Sequence, residues 1–364
     1  MRRFFRSILL KPVLWASAKF SSRPEKQKIA TALSKLIDRI SNRQEDRGPV
    51  ISFDHDKDRF IIFSDHHKGA RNGADDFAMA EPNYLAALDH YFGEGFTLIN
   101  LGDSEELWEN RLGKVKKFNQ QNLEAEKKFL QQKRFIKIFG NHDLYWDNDP
   151  LAWWQLKAIY GEKLKVYEAV LLCTTINNSQ LNIFCTHGHQ GDAQSDGNWF
   201  SKFFVAKIWA PLQAYLRINP NTPAYDSQKK SLHNSIMYEW SSLQKNMLLI
   251  TGHTHQPVFG SLTLLEKLYK QFQQAGAAGD TGKQAELRIE IQKREREFSA
   301  VSTDYMTMKP SYFNTGCCCY SDGDITGIEI ADGYICLIKW TLPGQVSRRE
   351  VLEEISLAEL ITQL

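Results

Sequence analysis

The chain of 364 residues is poor in cysteine, poor in proline and nearly free of net charge. Six cysteines in a chain this long do not make a disulfide framework. Three of them, Cys317, Cys318 and Cys319, are consecutive. Read as strand residues, neighbours point to opposite faces, so the triplet cannot converge on one metal. It reads instead as a run of small buried residues in a strand. Unpaired thiols fit a reducing cytoplasm. No run reaches the roughly 20 apolar residues that span a bilayer, which argues against an integral helical membrane protein. A net charge of +2 gives no support to a broad nucleic-acid surface. Hydrophobic residues at 42% and charged residues at 24% exclude overall disorder. The length suits two domains, or one large domain carrying insertions.

The first 24 residues have no acid at all. Arg2, Arg3, Arg6, Lys11, Lys19 and Arg23 alternate there with Phe4, Phe5, Ile8, Leu9, Leu10, Val13, Leu14 and Trp15. Lys11 and Pro12 break the apolar run, so a secretory signal is a poor match. Two placements stay open. Such a segment lies on an anionic membrane surface, or it packs on the protein's own core. Ile29, Leu33, Leu36, Ile37 and Ile40 then mark one face of a helix. Residues 1–48 read as a basic helical extension. Residues 346–364 read as a C-terminal helix, with capping-box spacing in Ser347/Glu350 and Ser356/Glu359.

Between these ends one pattern recurs. A short apolar run stops abruptly in polar residues that bind metals. Arg59–Phe63 leads into Ser64-Asp65-His66-His67, and Phe96–Leu101 into Gly102-Asp103. Phe135–Phe139 leads into Gly140-Asn141-His142-Asp143. Leu181–Cys185 leads into Thr186-His187-Gly188-His189, and Met247–Ile250 into Thr251-Gly252-His253-Thr254-His255. The runs read as strands, with helices near Pro82–Tyr91 and Leu123–Gln132 between them. In α/β sheets the loops beyond the strand ends form the ligand crevice. The donors are carboxylates, an amide and imidazoles, which suit Mn, Fe, Zn or Co. They are too many for one open site. Two metals about 3.5–4 Å apart would use them, with a water between the cations deprotonating near neutral pH to attack phosphorus.

In this order the blocks resemble the signature of the calcineurin-like metallophosphoesterases: D-x-H, GD, GNHD, a later His, and GHxH. The resemblance covers roughly residues 58–260 and resumes near Asn314-Thr315-Gly316. It implies an α/β fold, a four-layer α/β/β/α sandwich, spanning residues 49–345 with insertions near 193–245 and 262–300. It implies a dinuclear metal-dependent hydrolase of phosphoester or pyrophosphate bonds, with manganese the first choice of metal. Asp65, His67 and His255 would hold the first metal. Asn141, His187 and His253 would hold the second, and Asp103 would bridge them. His142 would protonate or stabilise the leaving oxygen, with Asp143 orienting it. His66 and His189 read as outer or substrate-facing residues.

The substrate is written only in the insertions. Phe200, Phe204, Ile208, Leu212 and Leu216 recur at helical spacing, widened by Trp199, Phe203, Trp209 and Tyr215 and interrupted by Pro211. The stripe reads either as core or as a lid that receives an acyl chain. Its position resembles that of the helical lid in UDP-2,3-diacylglucosamine hydrolases, which act on a lipid-linked substrate at the membrane surface. That branch usually has Arg where this chain has His142. The second insertion reads as a solvated helical hairpin broken at Gly276-Ala277-Ala278-Gly279. Ile325–Ile330 and Tyr334–Trp340 around Ala331-Asp332-Gly333 read as a β-hairpin of the second sheet, closing the domain near residue 343. A nuclease is disfavoured by the charge balance. A non-catalytic binding module would be expected to have lost ligands that are all present.

Overall fold

A computed structural model describes residues 24–42, 47–72, 75–191, 227–294 and 308–364. Among the described residues twelve strands build two sheets. The strands are β1 (Val50–Ser52), β2 (Phe60–Phe63), β3 (Thr97–Leu101), β4 (Phe135–Ile138), β5 (Val166–Tyr167), β6 (Ala169–Ile176), β7 (Ser179–Thr186), β8 (Met247–Thr251), β9 (Tyr312–Asn314), β10 (Ile325–Ala331), β11 (Tyr334–Thr341) and β12 (Arg348–Ser356). One sheet runs β12-β11-β10-β2-β3-β4-β5 and the other β1-β6-β7-β8-β9. β2 to β5 are mutually parallel, as are β7 to β9.

The central strands are buried on both faces, which is why they read as unbroken apolar runs rather than alternating ones. Alternation then sorts their side chains between layers. Phe60 and Ile62 of β2 join Ile183 of β7 and Leu248 and Ile250 of β8 between the sheets. Ile61 and Phe63 face outward, against Tyr84 and Leu88 of helix Glu81–Gly93 and Phe129 of helix Gln120–Gln131. On the other side Phe184 and Leu249 meet helix Lys26–Ser41 and helix Ser227–Ser242. The layers are thus helix, sheet, sheet, helix. All five apolar residues singled out between Ile29 and Ile40 are buried. The helical part of the N-terminal extension is therefore an outer layer of the sandwich. Residues 1–23 lie outside the described residues.

The first insertion divides. Ile236, Met237 and Trp240 of helix Ser227–Ser242 belong to the outer core. The aromatic stripe at 199–216 lies outside the described residues. The second insertion forms the expected hairpin, helices Leu264–Ala277 and Thr281–Arg294, around a small core of its own that includes Leu265, Leu268, Leu287 and Ile291.

Several expectations are corrected. The β10–β11 hairpin forms, but it pairs antiparallel with β2 and extends that strand's sheet, not the other. The segment 346–364 is not one helix. Arg348–Ser356 is an edge strand paired with β11, and only Leu357–Gln363 is helical. Ser347 caps nothing, whereas Ser356 Oγ accepts from Glu359 N at 3.1 Å. Leu357 and Leu360 fill the space between the sheets, so the fold continues past residue 343. The cysteine triplet follows β9 in a loop, not in a strand.

Candidate metal centre

The C-terminal ends of β2, β3, β4, β7 and β8 meet at one edge. Their loops stay paired beyond the strands. Asp65 N donates to Gly102 O (3.0 Å), His67 N to Asp103 O (2.9 Å) and Gly252 N to His187 O (3.0 Å). Asp65, His67, Asp103, His253 and His255 all have positive φ, between 50° and 67°. A non-glycine residue there costs of order 1–3 kcal/mol, and such strain gathers at functional sites. The motif glycines clear the space behind these residues. A Cβ on Gly140 would stand 2.2 Å from Asp103 Oδ1, and one on Gly252 2.3 Å from Asp65 Oδ2.

Two groups of donors result. His67 Nε2 and His255 Nε2 lie 3.2 Å apart. Asp65 Oδ1 is 3.1 Å from the latter and 3.9 Å from the former, buried and without a hydrogen bond. Asp103, His187 and His253 each aim a ligand atom into a space less than 4.8 Å across. His187 Nε2 also lies 3.3 Å from Asn141 Oδ1. Asp103 Oδ2 touches both groups, 3.1 Å from His187 Nε2 and 3.9 Å from His67 Nε2. An orphaned buried carboxylate oxygen facing ring nitrogens fits a cation between them. All seven residues expected as ligands are brought together.

The electrostatics say the same. Burial opposes a charge on His67, yet a hydrogen bond to Glu106 and the nearby Asp103 and Asp65 carboxylates lift it to about 10. Against the same penalty, Asp103 and Asp65 lift His187, and Asp65 lifts His255, each to about 9. Protons on these rings balance the carboxylates in the absence of a cation.

Sequence reasoning missed Glu106. Its Oε2 accepts from His67 Nδ1 (3.0 Å) and from His142 Nδ1 (2.7 Å). Burial would raise this carboxyl, but His142 and His67 hold it at about 2. Trp108 stacks on the other side of His142, ring centroids 4.7 Å apart and planes within 18°. Asp143 does not contact the His142 ring that the resemblance implied it would orient. Its oxygens accept from Ser104 N (2.9 Å) and Gly140 N (2.5 Å), so it ties the β3 and β4 loops together. Glu105 joins that brace, accepting from Lys137 Nζ at 3.0 Å and Trp146 Nε1 at 2.8 Å. The acidic pair after Gly102-Asp103, and a lysine inside the apolar run Phe135–Phe139, were the available signals. His66 faces away from the centre. It is fully buried 4.5 Å from the Tyr84 ring, with neither ring nitrogen hydrogen-bonded. His189 is buried beside His187 and Phe139 and joins neither donor group. His233, outside every motif, braces the His187 loop by donating from Nε2 to Gly188 O at 2.8 Å.

A two-sheet sandwich that gathers carboxylates and imidazoles at its strand ends has the donors of a metal centre. The calcineurin-like phosphoesterase family model matches residues 58–257, more than half of the chain. The chain belongs to that family and is a hydrolase acting on phosphoric ester bonds. A search of curated proteins returned no match.

Proposed function

We propose that the chain is a dinuclear phosphoesterase. Asp65, His67 and His255 hold one divalent cation, Asn141, His187 and His253 the other, and Asp103 spans both. The reach of Asp103 Oδ2 to both donor groups carries this reading. Carboxylate, amide and imidazole donors suit manganese first, with iron, zinc or cobalt also compatible. When bound, two such ions activate water near neutral pH and neutralise phosphoryl charge. The residues do the rest. Glu106 fixes the His142 ring by its Nδ1, leaving Nε2 to deliver a proton to the leaving oxygen. Asp143 holds the His142 loop against the Asp103 loop. Exhaustive chelation is expected to abolish hydrolysis of an aryl phosphodiester, and Mn²⁺ to restore it. Full turnover by the chelated protein sinks the two-metal reading.

The substrate is a phosphorylated small molecule. A narrower reading is a lipid-linked nucleotide-sugar pyrophosphate, cleaved by an enzyme peripheral to the cytoplasmic face of a membrane. The basic, aromatic composition of residues 1–24 and the position of the first insertion favour it. Rates on a phosphodiester, a phosphomonoester and a nucleotide-sugar pyrophosphate separate these options. Deleting residues 1–24 is expected to weaken binding to anionic vesicles, and unchanged binding removes the membrane part. No helix among the described residues is long and apolar enough to cross a membrane.

A further inference from the structure

We propose that helix Ala152–Tyr160 and helix Leu112–Phe118 form a docking face for an anionic lipid surface, beside the metal centre. The face is separate from residues 1–24 and can fail while they hold. It shares with the narrower function above the premise of an enzyme that works at a membrane.

Helix Ala152–Tyr160 has two sides. Ala152, Leu156, Ile159 and Tyr160 are buried. Trp153, Trp154, Lys157 and Ala158 are exposed, and positions three and four apart share a face. Leu151, Trp153 and Trp154 are 58%, 59% and 54% exposed. One exposed apolar residue is ordinary, but a leucine and two tryptophans within four positions make a patch. Lys116 ties the second helix to this one, its Nζ donating to Ala158 O at 3.1 Å. That helix adds Phe118, itself 42% exposed, with Lys117 Nζ 5.7 Å from the ring centre.

Topology sets the patch beside the centre. β4 and β5 are parallel, so the helix between them starts at the strand ends that carry the ligands. Trp153 and Trp154 stand in its first turn. The chain that leaves Asp103 at the end of β3 enters Leu112–Phe118 from that same edge.

Charge selects the occupant. Residues 111–119 and 152–160 hold five basic residues and no acid, in a chain that balances 45 against 43. Asp147 and Asp149, just before the second stretch, are engaged with Arg47 (3.7 Å) and with Leu151 N (2.7 Å). A second copy docked here by two-fold symmetry would set like charges against each other. A nucleic acid would satisfy the lysines and leave Leu151 in water. A membrane interface takes both, because indole rings settle at the headgroup level and lysines meet anionic headgroups.

The test compares the full chain with Trp153→Ser/Trp154→Ser and with Lys114→Gln/Lys117→Gln/Lys157→Gln. Each is sedimented with vesicles of equal parts phosphatidylcholine and phosphatidylglycerol, and with vesicles of phosphatidylcholine alone. The full chain is expected to bind the mixed vesicles and not the neutral ones. Removing the tryptophans is expected to weaken binding about 10–100-fold. Removing the lysines is expected to weaken it about fivefold for each charge. Both variants are expected to hydrolyse a soluble aryl phosphodiester at the parental rate. Variants that bind like the parent overturn the proposal and leave residues 1–24 as the membrane contact. A full chain that ignores the mixed vesicles overturns the membrane reading along with it. Binding that falls only together with the hydrolysis rate overturns the proposal. So does a dimer in light scattering that the tryptophan variant loses, or a single-stranded oligonucleotide bound more tightly than the mixed vesicles.

Discussion

Glu106 holds two imidazoles on one oxygen, one from each side of the proposed chemistry. Glu106→Gln keeps an acceptor but removes the charge that both rings share. We expect kcat on an aryl phosphodiester to fall about 10–100-fold, with the acid limb of the pH profile displaced. A rate and profile like the parent's would strip Glu106 of its positioning role. His142→Ala is expected to lose about 10²–10⁴-fold while its Mn²⁺ content stays at the parental level. A variant that hydrolyses at the parental rate disproves the role assigned to His142. The residues expected as ligands were legible because each follows an apolar run that stops at a turn. The supporting shell was not. Asp143 sits next to His142 in the chain, but its carboxylate points at two backbone N–H groups. Glu105 and Glu106 look like ordinary solvated acids until the fold buries them, at 2% and 6% exposure.

At the scale of elements, the buried strands that end in ligands announced themselves and edge strands did not, while β6, buried inside its sheet but ending in no ligand block, was passed over. β12 reads Arg348-Arg349-Glu350-Val351-Leu352-Glu353-Glu354, and most of these residues are exposed. Charge on an outermost strand blocks pairing with another molecule, and the same charge hides the strand from hydrophobic periodicity. β1 and β5 are too short to show a period at all. Ending the chain at residue 345 would bare the edge of β11 and empty the sites of Leu357 and Leu360, both fully buried. Each leucine contributes about 1.5–3 kcal/mol by burial. A markedly lower unfolding temperature, or insoluble protein, is expected for that truncation. An unchanged melting curve would show that the last strand and helix are dispensable.

Across the whole molecule the site is a seam. The seven-stranded sheet supplies Asp65, His67, Asp103 and Asn141, and the five-stranded sheet supplies His187, His253 and His255. In the metal-free chain, His67 at about 10 and His187 and His255 at about 9 lie above their ordinary value. Their contribution to stability is complete below about pH 6.5 and disappears as pH rises through about 9 to 10. Cations compete for the same positions, so loading must expel protons near neutral pH. Calorimetry of Mn²⁺ binding in buffers of different ionisation enthalpy is expected to show that release. Metal-free protein is expected to melt lower at pH 10 than at pH 7, and Mn²⁺ to narrow the gap. Buffer-independent heats would contradict the charged-ring picture.

The place of β2 carries one more consequence. It lies between β3 and β10 in the finished sheet, and β10 is made long after it. On the ribosome, the strand that leads into Asp65 therefore waits with one edge open while most of the chain is still unwritten. The last ligand, His255, also emerges late. A nascent chain therefore passes through a long interval with an open edge and half a site, and a product that stops before His255 lacks one of the proposed ligands.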